Sequence, residues 1–274
     1  MLKIYRTIII TLLMLLITPD FTIAETDTIS EGIAGEVDEN VRVPVLLYHN
    51  LMDGYDPQDA SVQISPAEFE EHMTALVSTG YSTITFEDYY NYVVYNQALP
   101  DKPIIITFDD GYSSNYEYAY PILKKLNMKA TIFVITGRMG VSKDVIYPHF
   151  TWEQAREMEQ SGVIDIESHS DLHPDMTKVD KGRAQLELRR SRYLIERELG
   201  KTCKVFAYPY GLYNADVQDL AEKAGYEIQV AVGDKGVNVK KNGLKQLKRL
   251  TAFGNTSGNE LIKMIEDNMR DEQN

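Results

Sequence analysis

The sequence predicts an α/β fold built around a barrel of parallel strands, with its functional site at the carboxyl ends of those strands. Apolar strand-like runs alternate with amphipathic helical patterns from residue 41 to residue 270, an order typical of a parallel sheet covered by helices. The run 103–107 holds three consecutive isoleucines and no polar alternation, as expected of a strand buried on both faces. Several such runs end in polar residues, which indicates a site at the carboxyl-terminal rim.

The individual elements follow one another in a regular order. The first strand is expected at 41–50, and Ser65, Pro66 and Glu68 then mark a helix start with a capping box, in a helix that Gly80 ends. Further strands are expected at 82–86, 103–109, 129–135, 163–168, 203–208, 227–232 and 247–253. Further helices are expected at 87–95, 115–127, 151–161, 180–199, 214–224 and 258–270.

The composition limits the function classes that the chain can belong to. The 274 residues carry 28 Lys and Arg against 41 Asp and Glu, a net charge of −13, which disfavours nucleic acid as a partner. Cys203 is the only cysteine, so no intrachain disulfide can form and a buried core thiol is expected. The sequence has no Gly-x-Ser-x-Gly motif and no phosphate-binding glycine loop, which disfavours serine-nucleophile and nucleotide chemistry.

The amino-terminal segment is typical of an exported protein. Lys3 and Arg6 precede the apolar run 8–17, and small residues end at Ala24; this predicts a signal peptide over residues 1–24, with an uncleaved anchor as the alternative. Residues 25–40 are expected to form a flexible leader, and 41–274 a single domain. We therefore expect a secreted or cell-surface monomer that touches the membrane only through its amino-terminal segment.

Two clusters of polar residues follow predicted strands. Asp109 and Asp110 come directly after the buried run and precede Gly111, a pattern that by itself also fits a simple turn. His169 and His173 follow a later strand, four residues apart. One carboxylate and two imidazoles make a three-ligand site with open positions, as in hydrolytic divalent-metal enzymes.

These two clusters, Thr107–Gly111 and His169–His173, resemble the first two signature motifs of the polysaccharide deacetylases, the NodB homology domain of carbohydrate esterase family four. The resemblance covers residues 41–255. It implies a distorted, incomplete (β/α) barrel of about seven parallel strands. It also implies that Asp110, His169 and His173 bind a divalent metal, with Zn²⁺ favoured and Co²⁺, Ni²⁺ or Mn²⁺ as alternatives, and that Asp109 is the catalytic base.

The third family motif is present only in part. Pro209 and Gly211 flank Tyr210 and impose an irregular backbone, which frees an amide to bind an anion; we expect the backbone N–H of Tyr210 to hold an oxyanion. Ala207 stands where the family usually has an arginine that braces the catalytic aspartate. Asp109 must therefore be oriented by another group, or the site is degenerate.

The first strand carries a further candidate. The sequence Leu-Leu-Tyr-His ending at His49 resembles the exported deacetylases of poly-β-1,6-N-acetylglucosamine, and that resemblance implies that His49 is the general acid. Pattern alone fits a hydrogen-bonded rim residue equally well.

The remaining histidines and several tyrosines receive weaker expectations. His72 is expected on the surface or behind the site, and His149 is expected to shape a loop. The tyrosines expected to line a sugar groove at the rim are Tyr112, Tyr208 and Tyr210.

The sequence thus predicts an exported metal-dependent hydrolase that removes N-acetyl groups from a polysaccharide of N-acetylglucosamine and releases acetate, without a redox or nucleotide cofactor. Poly-β-1,6-N-acetylglucosamine is the favoured polymer. The alternatives are peptidoglycan, chitin oligomers or O-acetylated xylan as substrate, or a degenerate carbohydrate-binding surface protein.

Overall fold

The computed structural model describes residues 38–233 and 236–270. The predicted signal peptide, the predicted leader up to residue 37 and the last four residues lie outside the described residues. Within the described ranges, no helix is both long enough and apolar enough to cross a membrane.

A curled, mostly parallel sheet forms the centre of the fold. The strands are β1 (Val43–Tyr48), β2 (Asn50–Leu51), β3 (Gln63–Ile64), β4 (Ser82–Thr83), β5 (Pro103–Phe108), β6 (Ala130–Val134), β7 (Ile164–Ser168), β8 (Val205–Ala207), β9 (Ile228–Val230), β10 (Val237–Asn238) and β11 (Leu250–Thr251). The main order is β10-β1-β5-β6-β7-β8-β9, with β4 beside β5, while β2 and β3 form a separate pair. Only β10 runs antiparallel to its neighbour among these pairs.

The segment 247–251 connects the two ends of the curled sheet. Leu250 of β11 pairs in parallel with Leu46 of β1, and Leu247 forms a parallel bridge to Val230 of β9. The sheet is therefore an incomplete barrel whose two ends are joined, within the described residues, only by this short segment. The expected distorted, incomplete (β/α) barrel with about seven strands is confirmed.

Helices follow the strands in the order that the sequence predicts. They are α1 (Pro66–Ser78), α2 (Phe86–Tyr95), α3 (Tyr120–Lys125), α4 (Trp152–Gln160), α5 (Lys181–Leu199), α6 (Ala215–Ala224) and α7 (Gly258–Arg270). Ser65 and Glu68 form the predicted capping box at the start of α1, where side chains satisfy amides that lack a helical partner.

The predicted helix 115–127 is interrupted. A wider turn over Asn115–Ala119 precedes α3, and the Tyr120 N–H donates to the carbonyl of Asn115, five residues back. Pro121 has no N–H to continue the regular ladder, and this is the physical reason for the wider turn.

Both faces of the central strands are buried, as the isoleucine run predicts. Ile104 and Ile106 join an apolar cluster with α1, α3 and α4. Ile105, between them, joins a second cluster with Phe133 and with Phe86 of α2. Alternate side chains of one strand thus serve two cores, which explains the absence of polar alternation in the sequence.

The sequence predicts the shortest strands with bounds that are too long. It does not predict β2, β3 and β10 at all. The runs 203–208 and 247–253 form strands only over Val205–Ala207 and Leu250–Thr251. The strands β2, β3 and β10 have two residues each. Two residues are too few to show a periodic pattern.

Cys203 lies at the amino-terminal end of the barrel, away from the rim. Its thiol is buried and donates to Oε2 of Glu167 at 3.1 Å. Burial raises the pKa of this thiol well above its ordinary value, so the predicted inert core thiol fits the structure. Nζ of Lys201 lies 3.3 Å from Oε1 of Glu167.

Candidate active site

The register of the parallel strands brings the predicted site residues to one level of the barrel. Tyr48 of β1 pairs with Phe108 of β5, and Ser168 of β7 pairs with Phe206 of β8. The residues that follow these strands therefore leave the barrel together at its carboxyl-terminal rim. They include His49, Asp109, Asp110 and His169.

Asp110, His169 and His173 converge as the sequence predicts. Oδ1 of Asp110 lies 3.7 Å from Nε2 of His169 and 3.7 Å from Nε2 of His173. The two Nε2 atoms are 3.1 Å apart. These three atoms form the only cluster of potential metal ligands from three or more acidic, histidine or cysteine residues within the described part of the chain.

The donor set fits a divalent metal of the zinc type. Ligand atoms about 2.0–2.1 Å from a tetrahedral ion are about 3.3 Å apart, close to the separations seen here. Nδ1 of His169 donates to the carbonyl of Ala207 at 2.8 Å, because a carbonyl can only accept. This contact fixes the tautomer and leaves the Nε2 lone pair facing the other ligands.

Burial, and then the neighbouring His169, lowers the pKa of His173 to about 4. The imidazole is therefore neutral at neutral pH. A neutral imidazole is the form that binds metal, so the electrostatics of the site agree with its geometry.

Ser170 and Asp171 lie between the two histidines in the sequence, which makes them candidates to hydrogen-bond the imidazoles, but their side chains bond other groups. The Ser170 hydroxyl accepts the backbone N–H of His173 at 2.9 Å. Oδ1 of Asp171 accepts from the Thr136 hydroxyl at 2.7 Å. Both therefore support the loop rather than a ring, and that expectation was wrong for the imidazoles.

Several site residues have a left-handed backbone although none of them is glycine. The φ angles are 72° at Asp110, 68° at Ser170, 58° at His173 and 60° at Tyr210. Side chains with a Cβ rarely adopt this conformation, and such strain is typical of functional sites that the surrounding structure holds in place.

Arg249 replaces the arginine that is missing at Ala207. Its Nη1 donates to Oδ1 of Asp109 at 2.6 Å and its Nη2 donates to Oδ2 at 2.8 Å. Both side chains are buried, with exposed fractions of 0% for Arg249 and 4% for Asp109. Its Nε donates to the carbonyl of Ala231 at 3.2 Å, which fixes the plane of the guanidinium.

This pair determines the charge of Asp109. Burial by itself raises the pKa of Asp109, but Arg249 and His169 outweigh it and hold the pKa well below its ordinary value. Oδ2 also lies 3.6 Å from Nε2 of His169. The carboxylate is thus ionised, fixed and beside the potential metal ligands.

Sequence analysis missed Arg249, although a signal was present. Arg249 falls inside the predicted strand 247–253, next to Leu250. A fully buried arginine needs an anionic partner, and Asp109 is an acid without an obvious one.

His49 follows β1 at the rim, close enough to Asp109 and Asp110 for their charges to affect its pKa. Burial lowers its pKa, while Asp109 and Asp110 raise it in part. Its Nδ1 is buried without a hydrogen-bond partner among the described residues, whereas Nε2 is not enclosed in this way. Nε2 is therefore the ring nitrogen available to a substrate.

Tyr210 lies at the rim beside His173, one of the potential metal ligands. Its ring centroid is 4.5 Å from that of His173, edge to face, and its side chain is 63% exposed. The turn Pro209–Gly211 that holds it is irregular, as predicted.

The remaining histidines and tyrosines divide between core and rim. Of the two positions expected for His72, the surface one was wrong, because the residue is fully buried. It lies in the apolar stripe of α1 beside Met73. His149 forms a bridge to Tyr112 in the loop before α4, consistent with a loop-shaping role. Tyr208 is buried and does not line a groove.

Comparison with known proteins identifies the family of this chain. The family model described as polysaccharide deacetylase matches residues 96–229. YxkH of Bacillus subtilis (strain 168), assigned to the polysaccharide deacetylases, is 33% identical over 231 residues, which are 84% of this chain and 78% of that protein. The poly-beta-1,6-N-acetyl-D-glucosamine N-deacetylase of Staphylococcus aureus (strain N315) is 30% identical over 188 residues, 65% of this chain and 64% of that enzyme.

Solved structures give the same result. The Streptococcus pyogenes deacetylase PplD, in complex with acetate, superposes with a TM-score of 0.74 at 28% identity, over 82% of this chain and 99% of PplD. A de-N-acetylase from Aggregatibacter actinomycetemcomitans superposes with a TM-score of 0.71 at 28% identity, over 82% of this chain and all of that chain (100%). With these relatives, and with both motifs assembled at one barrel rim, this chain belongs to the polysaccharide deacetylase family, hydrolases that act on amide bonds.

Proposed function

We propose that the protein is a metal-dependent N-deacetylase that removes acetyl groups from a polysaccharide of N-acetylglucosamine and releases acetate. The observation that carries this proposal is the ionised Asp109, fixed by Arg249 with its Oδ2 3.6 Å from Nε2 of the ligand His169. A protein that only binds glycan has no need of a fixed carboxylate beside three metal ligands.

Asp110, His169 and His173 would hold the metal. A bound divalent ion supplies Lewis-acid polarisation of the acetamido carbonyl and makes the attacking water more acidic. Asp109 takes the proton of that water. Its low pKa makes it a weak base but keeps it ionised at every physiological pH, ready to accept.

The other two predicted catalytic groups act on the remaining atoms of the amide. The backbone N–H of Tyr210 donates to the oxygen that becomes negative as the tetrahedral centre forms. Nε2 of His49 delivers a proton to the departing amine, which cannot leave as an anion. Because its pKa is lowered, His49 is neutral before the reaction and must acquire this proton during it. The source is Asp109, which carries the proton taken from water and, once protonated, is a much stronger acid than His49.

We favour poly-β-1,6-N-acetylglucosamine as the polymer. Support comes from the staphylococcal relative that bears this activity in its name, and from His49 at the end of the first strand, which matches that subgroup. Peptidoglycan, chitin oligomers and O-acetylated xylan are the alternative substrates, since the groups that handle an acetyl would be the same.

The remaining parts of the proposal concern location and partners. We propose a secreted or cell-surface monomer with zinc as the metal, no nucleic-acid partner and membrane contact only through residues 1–24. The supporting features are the apolar run 8–17 and the net charge of −13. The alternative of a degenerate glycan-binding protein was based on the missing arginine at position 207. Since Arg249 binds Asp109 in its place, the missing arginine no longer argues for a degenerate site.

Acetate release from poly-N-acetylglucosamine tests the proposal. The zinc-loaded full chain is compared with Asp109→Asn and His49→Ala, and with Asp219→Asn, an exposed helical site, as the matched control. We expect acetate from the wild type and the control, and a loss of about 10²-fold or more in the other two. If no acetate appears, the zinc-loaded protein is tested on peptidoglycan, chitin oligomers and acetylated xylan. Bound zinc without acetate from any of these four glycans would contradict deacetylation. Failure to bind metal would contradict the metal centre itself.

A further inference from the structure

The loop between the two histidine ligands is short and strained, so something must hold it. Ser170 and His173 have φ angles of 68° and 58°, in the region that non-glycine residues avoid. A strained backbone persists only where its surroundings fix it. On one side, the carbonyls of Ser170 and Asp171 accept from the N–H groups of Thr136 and Gly137 at 3.2 Å and 2.8 Å. The hydrogen bonds of the four amides at 170–173 show what fixes the other side.

Two of these amides are satisfied within the loop itself. The Ser170 N–H donates to the Ser168 hydroxyl at 3.3 Å, and the His173 N–H donates to the Ser170 hydroxyl at 2.9 Å. Such local bonds form in several loop conformations and do not select one.

The other two amides share one distant acceptor. The N–H groups of Asp171 and Leu172 both donate to Oε2 of Glu187, at 2.9 Å and 2.7 Å. Glu187 belongs to α5, so this carboxylate ties the ligand loop to a long helix. Two converging bonds to a fixed charged acceptor select one loop conformation.

Glu187 is itself held in place. Its side chain is 1% exposed, and Nη2 of Arg183, one turn earlier in α5, lies 2.5 Å from Oε1. One oxygen therefore faces the arginine and the other faces the loop. A buried carboxylate with all of its partners provided has few alternative positions.

Of the two histidine ligands, His173 is the one that depends on this contact. The imidazole of His169 is fixed by the Ala207 carbonyl at 2.8 Å, and its backbone N–H by the Val134 carbonyl at 3.0 Å. The backbone N–H of His173 bonds only within the loop, to the Ser170 hydroxyl. Its ring meets only other rim groups among the described residues: Nε2 faces His169 and Asp110, and the ring packs against the exposed Tyr210. Its position follows the conformation of the loop.

We propose that Glu187 is a positioning residue for the metal centre: by binding the two amides between the ligands, it keeps His173 within reach of the metal. This inference rests on the proposed metal site. According to this inference, part of the metal affinity of the enzyme depends on α5, a helix outside the two motifs.

Metal affinity of the folded protein tests this role. Glu187→Leu removes the acceptor, and Glu187→Gln retains one oxygen for the loop but places an amide beside Arg183. The matched control is Glu196→Leu: Glu196 also lies in α5, pairs with an arginine four residues earlier and accepts a backbone N–H, at 2.9 Å and 3.2 Å, but at the Cys203 end.

Zinc dissociation constants, measured by chelator competition, and unfolding temperatures of the chelated proteins are the readouts. We expect about 10–100-fold weaker zinc binding for Glu187→Leu, a smaller loss for Glu187→Gln and no change for Glu196→Leu. The visible spectrum of bound Co²⁺ should change in the same order, because it reports ligand geometry.

Unchanged zinc affinity in either folded Glu187 variant, even with a lower unfolding temperature, would reduce Glu187 to a purely structural role and overturn the inference. If Glu187→Leu fails to fold, the Gln variant decides. A wild type that binds no zinc would overturn the proposed metal site as well, a result distinct from equal binding by wild type and variants.

Discussion

Arg249, directly before β11, and Asp109, directly after β5, form two parallel hydrogen bonds, Nη1 to Oδ1 at 2.6 Å and Nη2 to Oδ2 at 2.8 Å. The guanidinium fork matches the carboxylate at both oxygens, which a lysine cannot do. The pair fixes the orientation of the proposed catalytic base as well as its charge.

Replacing this arginine should therefore lower turnover even when the positive charge is kept. For Arg249→Lys we expect kcat to fall by about 10²-fold with little change in KM, because Asp109 stays ionised but loses its orientation. Arg249→Ala should destabilise the protein by about 3–5 kcal/mol, since it leaves a buried charge unpaired. Kinetics and urea unfolding measure the two effects, with Arg197→Lys, in an exposed ion pair, as the control. Full kcat in Arg249→Lys would contradict the bracing role.

The leaving group distinguishes a general acid from a residue that only shapes the site. His49→Ala should lose about 10²–10⁴-fold in deacetylation of the glycan, because an amine must be protonated to leave. The same variant should hydrolyse an aryl acetate almost as well as the wild type does, since a phenolate leaves without a proton. Equal losses on both substrates would show that His49 acts by another route.

The backbone of Tyr210, rather than its side chain, is the proposed oxyanion donor. Tyr210→Asn suits the positive φ of 60° and keeps the N–H, so kcat should stay within about tenfold of the wild type. Gly211→Ala should cost about 10²–10³-fold. Its new Cβ would lie 2.7 Å from Cβ of Val232 and 2.9 Å from the Val232 nitrogen, and the turn must then shift. The kcat values and zinc content of both variants check this; a severe loss in Tyr210→Asn alone would point to the ring.

Buried His72 should make stability depend on pH. Its Nε2 donates to the Thr256 carbonyl at 2.7 Å, and its Nδ1 accepts from the Tyr48 hydroxyl at 3.1 Å. Burial lowers its pKa below the ordinary value of about 6.5, so the unfolded chain binds this proton more readily. The stabilisation is complete above about pH 6.5 and is lost as the pH falls towards the folded pKa.

His72→Gln should therefore show a shallower fall in unfolding free energy between about pH 6.5 and pH 5 than the wild type. Tyr48→Phe, which keeps the titrating ring, serves as the control and should retain the steeper slope. Identical slopes in all three proteins would show that His72 does not contribute.

Sequence reasoning found the parts of the site that lie close together along the chain. Asp109 and Asp110 end one buried strand, and His169 and His173 lie within five residues. Local pattern and strand exits indicated a shared site, and the resemblance to the polysaccharide deacetylases supplied the set of ligands. The barrel followed from the alternation of elements, because parallel strands need helical crossovers.

Contacts between distant segments were beyond that reasoning. Arg249 reaches Asp109 only because β11 pairs with β1, and a two-residue strand gives no periodic signal. In the sequence, Glu187 is one of several charged residues on a predicted helix. Only the fold shows that its carboxylate faces the loop between His169 and His173. His72 looked like a surface histidine since its α1 neighbours include both charged and apolar side chains.

The closing position of β11 also sets the order in which the molecule becomes complete. Leu46 and its partner Leu250 are about 200 residues apart in the chain. Because loop closure over such a distance costs entropy, we expect this pairing to form late in folding. Asp109 is synthesised long before Arg249. Until the segment 247–251 is made, the carboxylate has no guanidinium partner and the barrel lacks its closing strand. The orientation of Asp109 and the closure of the barrel thus depend on the same segment, and we expect a chain that ends before Arg249 to lack both.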